Sequence, residues 1–293
     1  MIYYFLPDPQ VYGGVKVGYQ FAQLLNDLNV PVVVTSPQGK APLWFSSSIS
    51  VISEEEAFNQ LGSQDWVLFS LPTDYERLKS VTKKLIFHCQ GTNPLIDKIL
   101  QDSETLILTC WDQAKRYVND NFGREPVEVG IAISDCFFRS RTLTLEGFLS
   151  YMPRRGNNTV MACMDKVPDL TYQPIEGLNE SEVAVFLQQS EYFLATAEGE
   201  WFGLPALEAM AAACIVISVP VLGGMEYLQD QCNCLIAKPE EMPEMLSWIK
   251  APEQAFLREK IRYRAVQTAT KYRLSLQRKR LSKLLSTQLK GLV

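Results

Sequence analysis

Residues 191–220, EYFLATAEGEWFGLPALEAMAAACIVISVP, indicate most directly how this chain folds. The runs at 192–196 and 214–219 are apolar and rich in β-branched and aromatic residues, which is typical of buried strands. A helix-length segment at 204–213 lies between them and follows a loop that contains glycine and proline. Two apolar strands joined through a helix form a βαβ unit, so this stretch predicts a parallel sheet covered on both faces.

The same alternation of strand and helix patterns extends along the whole chain. Further strands are predicted at 2–6, 30–35, 66–70, 84–88, 105–109, 147–152, 171–173 and 233–236. Further helices are predicted at 15–29, 180–190 and 239–250. Strands that alternate with helices in this way indicate an α/β fold.

The length of 293 residues predicts two domains rather than one. The segment 135–146 is polar and has no clear period, so it is the predicted linker. We therefore expect a Rossmann-like domain over 1–143, a second Rossmann-like domain over 144–265, and a basic C-terminal helix over 266–293.

Composition excludes several classes of protein. A hydrophobic content of 47% with 21% charged residues excludes a disordered or fibrous chain. No apolar run reaches about 18 residues and no signal peptide is apparent, so we expect a cytoplasmic protein with reduced cysteines. The seven cysteines form no C-x-x-C pair and the chain has a single histidine, so we expect no metal site.

Charge is distributed unevenly along the chain. Residues 254–293 carry eleven Lys and Arg and one acidic residue, a net charge of +10, which leaves −15 on the first 253 residues. Apolar residues at helical spacing predict that this tail is amphipathic. Two roles stay open: the tail packs on the acidic body, or it makes peripheral contact with an anionic membrane or a lipid-linked acceptor. Nucleic acid is not an expected partner because the whole protein is acidic.

The loop before 204–213 has the features of an anion-binding helix start. Pro205 suits the first helical turn because its missing N–H costs nothing there, and the free backbone N–H groups of that turn favour phosphate. Glu200, in the loop, can reach sugar hydroxyls, and Glu208, one turn into the helix, can accept two hydrogen bonds from a ribose diol. The alternative is an ordinary strand–loop–helix with solvated carboxylates.

Several motifs together resemble a known family. The spacing of the two glutamates in EWFGLPALEAMA (200–211), followed by GGMEY (223–227) and NCLI (233–236), resembles the donor-binding half of the retaining family 4 glycosyltransferases, also called glycosyl transferases group 1. YMPRR (151–155) is similar to the YMPRK motif of a bacterial subgroup, and YGGVKVGYQFAQLL (12–25) resembles the first glycine turn and helix of the family.

This resemblance implies the GT-B fold. Two Rossmann-like domains would face a cleft, the C-terminal domain would be shortened, and the C-terminal helix would cross back to the N-terminal, acceptor-side domain. The resemblance further implies that Glu200 contacts the transferred sugar, that Glu208 holds the ribose of a nucleotide diphosphate sugar, and that backbone amides at Gly203 and Leu204 meet the sugar and phosphate.

The resemblance also implies how the leaving diphosphate is neutralised. Arg154 and Arg155 would do so in place of a metal ion, a task for which guanidinium groups are well suited. Gly13 and Gly14 would let the first loop of the other domain approach the diphosphate. The expected activity needs no cofactor, because the nucleotide diphosphate sugar is a co-substrate.

The single histidine, His88, ends a predicted strand at the sheet edge where ligands bind in α/β folds. It is a candidate catalytic residue that could orient the donor or accept a proton from the acceptor. A structural histidine is an equally good interpretation. Gln90, Thr92 and Asn93 form a polar cluster in the same loop, a hint of the acceptor side.

The expected function is transfer of a sugar from a nucleotide diphosphate sugar to a polysaccharide, lipid or other glycan acceptor, with retention of configuration. Trp201 and Ala213 stand where the family usually has glycine, at positions expected to crowd the donor. These departures favour the alternative, a non-catalytic nucleotide-sugar-binding or scaffold protein on a decayed GT-B fold.

Overall fold

The computed structural model describes residues 1–138 and 145–292. The chain divides into two compact units: unit 1 comprises Met1–Ala132 and the segment from Ser275 onward, and unit 2 comprises Ile133–Leu274. The predicted boundary between residues 143 and 144 lies outside the described residues, as does part of the predicted linker. The start of that linker, Asp135–Phe138, is a 3-10 turn.

Unit 1 contains a seven-stranded parallel sheet in the order β3-β2-β1-β4-β5-β6-β7. Its strands are β1 (Ile2–Phe5), β2 (Val32–Ser36), β3 (Val51–Ser53), β4 (Trp66–Phe69), β5 (Leu85–Cys89), β6 (Leu106–Thr109) and β7 (Val127–Glu128). The helices within Met1–Ala132 are α1 (Gly13–Asn26), α2 (Glu54–Gln60), α3 (Tyr75–Lys79), α4 (Asp97–Gln101) and α5 (Asp112–Phe122). The strand order reverses direction between β1 and β4, which makes the carboxyl ends of these strands the expected ligand-binding edge.

Unit 2 contains a five-stranded parallel sheet in the order β12-β11-β10-β8-β9. Its strands are β8 (Phe148–Tyr151), β9 (Thr171–Pro174), β10 (Tyr192–Ala195), β11 (Ile215–Ser218) and β12 (Leu235–Ile236). Its helices are α6 (Asn157–Lys166), α7 (Glu180–Gln189), α8 (Leu204–Ala211), α9 (Met242–Lys250) and α10 (Ala255–Thr270). Here the strand order reverses between β8 and β10, so the loops that leave these two strands share the expected ligand-binding edge.

The basic tail differs from the single helix predicted over 266–293. It forms two helices, α10 and α11 (Leu274–Leu285), and the chain passes from unit 2 to unit 1 after Leu274. α10 stays with unit 2 because Ile261, Ala265 and Ala269 are fully buried, with Ile261 in the core of that unit. α11 returns to the N-terminal unit, where Gln277 Nε2 donates to the Gly130 carbonyl at 2.8 Å.

Several arginines of the tail have structural partners. Arg258 Nη1 donates to three carbonyl oxygens at the end of α9, which satisfies acceptors that a helix C-terminus leaves open. Arg273 pairs with Asp135 at 2.8 Å within unit 2, and Arg280 pairs with Glu128 at 2.8 Å within unit 1. Among the described residues, no helix, those of the tail included, combines the length and the apolar character needed to span a bilayer.

Ala213 corrects one expectation. It lies beyond the C-terminal end of α8, where its carbonyl accepts from Arg262 Nε at 3.1 Å, whereas the loop expected to meet the donor precedes the other end of this helix. Ala213 therefore does not crowd that loop. Its φ of 64° is left-handed, which explains the glycine that the resembled family has at this place.

Replacing Ala213 with glycine should stabilise unit 2. A non-glycine residue in the left-handed region costs about 1–2 kcal/mol. Glycine removes this cost, but its greater conformational entropy in the unfolded state offsets part of the gain. We expect Ala213→Gly to raise the free energy of unfolding by about 0.5–1 kcal/mol in urea denaturation. Ala212→Gly is the matched control, because Ala212 has φ −77° and glycine brings no relief there. Equal effects of the two substitutions would contradict this account.

Candidate functional site

The switch point of unit 2 is built from the loops that follow β8 and β10. Both strands are buried and paired in parallel, so their carboxyl ends lie side by side although β9 separates them in the sequence. The first loop carries Arg154 and Arg155 and leads into α6. The second carries Glu200 and Gly203 and leads into α8. The sheet order therefore brings together residues about 45 positions apart.

Gly156 fixes the first loop against the end of β10. It is the N-cap of α6 with φ +74°, and a side chain there would lie 2.5 Å from Thr196 Cβ and 2.6 Å from Thr196 Oγ1. Thr196 Oγ1 in turn donates to the Arg155 carbonyl at 2.9 Å. The backbone next to Arg155 is thus held against the strand from which the second loop departs.

The two loops meet in an ion pair. Arg155 Nη1 lies 3.1 Å from Glu200 Oε1, with side-chain exposures of 49% and 30%. Arg154, beside it, is also exposed. An exposed pair of this kind contributes little to stability. Both charges remain accessible to a ligand, and the structure places two of the predicted site residues in direct contact.

The backbone of the second loop is held by the segment that follows β11. Leu222 N donates to the Glu200 carbonyl at 2.8 Å, and Gly224 N donates to the Trp201 carbonyl at 3.0 Å. Gly203 caps α8 with φ +80°, which favours glycine. As the first residue of α8, Leu204 has an N–H without an intrahelical acceptor. The predicted amide contributors therefore stand at a helix N-terminus suited to an anion.

Tyr227 supports this loop and is a residue that the motif analysis did not single out. Its hydroxyl donates to the Gly203 carbonyl at 2.7 Å, and its ring packs against Phe202 and Tyr272 at centroid distances of 5.2 and 6.0 Å. Burial raises the pKa of Tyr227 well above its usual value, so the hydroxyl stays a donor. The GGMEY motif contains this tyrosine, but its partner 24 residues away is visible only in the fold.

Glu208 lies one turn into α8 and is only 5% exposed. Among the described residues it is the only buried carboxylate. Carboxylates are rarely buried, because a buried charge loses its hydration. The burial of Glu208 next to the loop of Glu200 therefore indicates a functional or structural requirement for a carboxylate at this position. Trp201 is half-buried in that loop, next to Glu200 as the sequence requires.

Gly13 and Gly14 lie in unit 1, where the chain enters α1 after β1. This is the switch point of the first sheet, where ligands bind in open α/β folds. A side chain on Gly14 would lie 2.6 Å from Gln90 Oε1, in the loop that follows β5. Because this atom is the end of a flexible side chain, the contact alone does not require glycine at position 14.

His88 lies in the interior of unit 1, not at the surface of the ligand-binding edge. It is fully buried, with Nδ1 2.6 Å from the Tyr4 hydroxyl and Nε2 3.1 Å from Cys110 Sγ. Burial lowers the pKa of His88 to about 3, so the ring is neutral at physiological pH. Both ring nitrogens are engaged in the core, which supports the structural interpretation of His88 over the catalytic one.

Comparison with known proteins places this geometry in context. Residues 173–271, which include the second loop and α8, match the family model Glycosyl transferases group 1. No match was found among curated protein sequences. A glycosyltransferase from Rickettsia africae superposes with a TM-score of 0.70 at 14% identity, over 99% of this chain and 98% of that one.

Two further structures are similar over nearly their full lengths. Sucrose-phosphate synthase from Thermosynechococcus elongatus has a TM-score of 0.74 at 11% identity, with 99% of each chain covered. HepE from Anabaena, in complex with UDP-glucose, has a TM-score of 0.73 at 9% identity, over 98% of this chain and 99% of that one. At these identities the similarity concerns the fold, and it confirms the predicted α/β, GT-B-type fold with parallel sheets.

Proposed function

We propose that this protein is a glycosyltransferase that moves a sugar from a nucleotide diphosphate sugar to an acceptor hydroxyl. The observation that carries the proposal is the meeting of Arg155 and Glu200 at the switch point of unit 2, beside the start of α8. The match of residues 173–271 to glycosyl transferases group 1 supports it, as does the similar fold of a protein whose structure contains UDP-glucose.

The donor diphosphate would be bound by positive charge and backbone amides. Arg154 and Arg155 supply guanidinium groups, and Leu204 supplies an N–H at the positive end of the α8 dipole. On binding, the diphosphate would replace Glu200 as the partner of Arg155. The turn at Gly13 and Gly14 is proposed as a further diphosphate contact, on the strength of the family resemblance.

The sugar and ribose would be held by the two glutamates. Glu200 is half-exposed in the loop and would accept from hydroxyls of the transferred sugar, while Glu208 would accept from the ribose diol. In the reaction the bond between the anomeric carbon and the diphosphate breaks, and the diphosphate leaves with the electron pair. The acceptor oxygen bonds to that carbon and loses its proton. We propose that configuration is retained.

Stabilisation of the leaving diphosphate would be the main contribution of the chain to catalysis. Donors fixed in place before the reaction act where negative charge develops and need no reorganisation at that moment. Arg155 suits this role because the Gly156 contact with Thr196 fixes its backbone. Arg154 and Arg155 would supply this positive charge in place of a metal ion.

Calorimetric titration with uridine, guanosine and adenosine diphosphates tests the proposal directly. We expect one of them to bind. Glu208→Ala should weaken that binding at least about 100-fold, because two hydrogen bonds to a charged group, each worth about 1.5–3 kcal/mol, are lost. Glu200→Ala should leave nucleotide affinity nearly unchanged but lower donor turnover about 100-fold. Glu198→Ala is the matched control, an exposed carboxylate in the same loop that the proposal leaves without a role.

The outcomes separate the proposal from its alternative. If no nucleotide binds up to millimolar concentration, or if the Glu200 and Glu208 variants behave like the Glu198 variant, the site assignment is wrong. Tight nucleotide binding without donor turnover would favour the non-catalytic binding protein, as the unusual Trp201 does.

Addition of EDTA should change neither nucleotide affinity nor donor turnover. NMR of the released sugar reports its anomeric configuration and so tests retention.

A further inference from the structure

Unit 1 exposes several apolar side chains in the loops that follow its strands. Its described part has eight exposed large apolar residues, and five of them lie in loops that follow strands. We call these five the apolar rim: Val11, Tyr12, Leu43, Leu71 and Leu95. Leu43 and Leu95 are 97% and 77% exposed. A single exposed leucine is ordinary, whereas five exposed apolar residues in loops at one edge of a sheet point to a binding surface.

The sheet order brings the apolar rim together. Its residues belong to the loops after β2, β1, β4 and β5, four strands that are consecutive neighbours in the parallel sheet. Neighbouring strands lie about 4.8 Å apart, so these strands span roughly 15 Å at their carboxyl ends. The apolar rim therefore lies along the ligand-binding edge of unit 1.

Internal contacts hold the loops of the apolar rim in place. Trp44, next to Leu43, donates from Nε1 to the Pro9 carbonyl at 3.0 Å, which joins the loop after β2 to the loop after β1. Phe45 packs on Trp44 and on Tyr19 at centroid distances of 4.7 and 5.4 Å. Because its neighbours are anchored, Leu43 is presented to solvent by a supported loop.

Polar groups for a second kind of contact lie in the same loops. Gln90, Thr92 and Asn93 occupy the loop after β5 that also carries Leu95. The edge thus offers hydrogen-bonding groups beside an apolar surface, which suits a ligand with a polar head and a hydrocarbon chain.

The charges of these loops argue against an anionic membrane as the occupant. Over residues 7–12, 37–50, 70–74 and 90–96 the charged side chains are Asp8, Lys40 and Asp74. Membrane-binding surfaces combine apolar residues with an excess of Lys and Arg, because the lipid headgroups are negative. This edge has a slight excess of acid, while the basic residues of the chain are concentrated in its tail.

We infer that the apolar rim binds the hydrocarbon portion of an amphiphilic acceptor, whose sugar or hydroxyl head is held by the polar residues of the same loops. The identification of the bound molecule as an acceptor rests on the proposed function. It selects a lipid-linked molecule from the acceptor classes that the sequence left open. The surface itself does not depend on the identity of the donor.

Alkyl glucosides at monomeric concentration provide the probe. We expect octyl β-glucoside to bind the full chain in saturation-transfer NMR with transfer to its alkyl protons, and methyl β-glucoside to bind far more weakly. Each added methylene should tighten binding about three- to fourfold while the chain remains on the apolar rim. The double variant Leu43→Ser, Leu95→Ser should weaken octyl glucoside binding about tenfold or more, because two apolar contacts are lost.

Val81→Ser is the matched control, since Val81 is 49% exposed in the same unit but precedes β5, at the opposite edge of the sheet. Affinity that is independent of chain length, or equal losses in the double variant and the control, overturns the inference. The inference is also overturned if the protein sediments with neutral phosphatidylcholine vesicles and the double variant does not. That result would show that the apolar rim binds a membrane. Nucleotide titration of the same variants separates the two proposals: nucleotide failure with intact octyl glucoside binding contradicts only the donor site.

Discussion

Gly156→Ala should destabilise unit 2 by about 2–5 kcal/mol. Two costs add. The φ of +74° is unfavourable for alanine, and the new methyl group would meet Thr196, including its carbonyl oxygen, at the end of β10. The carbonyl oxygen and the Cβ atom of Thr196 cannot rotate away, because both positions are set by the backbone. The measurement is urea denaturation, with hydrogen exchange of β8 and β10 peptides to localise the loss.

Gly177→Ala separates the two costs. Gly177 also has a left-handed φ, +70°, in unit 2, but nothing lies within 4 Å of the position of an added side chain. We expect this control to lose only about 1–2 kcal/mol, the cost of the backbone conformation. Equal losses for the two variants would show that the contact with Thr196 imposes no constraint. Gly156→Ala should also weaken nucleotide binding, because it displaces the backbone beside Arg155.

The strands of both sheets could be predicted from the sequence because most are buried on both faces and therefore uniformly apolar. β3 and β7 were not predicted; they are three and two residues long and lie at the edges of the sheet, whereas β12, equally short and also at an edge, falls in the predicted run 233–236. α6 was also missed: it begins with two asparagines, which are poor helix formers, and buries only Val160 and Cys163. Local pattern therefore predicts the long buried strands, whereas a helix that buries few residues, such as α6, depends on contacts with neighbouring elements.

The candidate site shows the same division. The spacing of Glu200 and Glu208 and the helix start at Leu204 are local features, so the sequence could predict them. The pairing of Arg155 with Glu200 depends on β8 lying next to β10, an order that no local pattern contains. The break of the basic tail after Thr270 depends likewise on packing, because the Tyr272 ring docks against Phe202 at 5.8 Å.

His88 is the residue for which position and role diverge. Its strand, LIFHC, is apolar, and that pattern predicted a buried strand ending at the sheet edge. The hydroxyl of Tyr4 and the thiol of Cys110 that contact its ring come from neighbouring parts of the sheet. A histidine near a ligand-binding edge can therefore have a structural role in the core.

Burial of His88 should make the stability of unit 1 depend strongly on pH. The pKa of His88 is about 3 in the folded chain and about 6.5 when unfolded, so between these values only the unfolded state binds a proton. Stability is therefore fully present above pH 6.5 and decreases as the pH falls. We expect the free energy of unfolding to drop by about 2 kcal/mol between pH 7.5 and pH 5.

The absence of any other histidine makes the measurement specific, because carboxylates of the unfolded chain titrate mainly below pH 5. Urea denaturation at intervals of half a pH unit gives the slope. His88→Asn should be less stable at pH 7.5, since Tyr4 and Cys110 lose their partner, but nearly independent of pH down to 5. If that variant does not fold, His88→Phe provides the same comparison, because the ring site is apolar on the side of Phe21, 4.6 Å away.

A wild-type slope that persists in either variant would contradict the assignment of the pH dependence to His88. A flat wild-type profile would show that the folded ring takes up a proton near its ordinary pKa, which requires access to water or to an acceptor. A ring of that kind could exchange a proton with a ligand at the sheet edge, and His88 would again be a candidate for catalysis. The pH profile therefore decides between the structural and the catalytic histidine without knowledge of donor or acceptor.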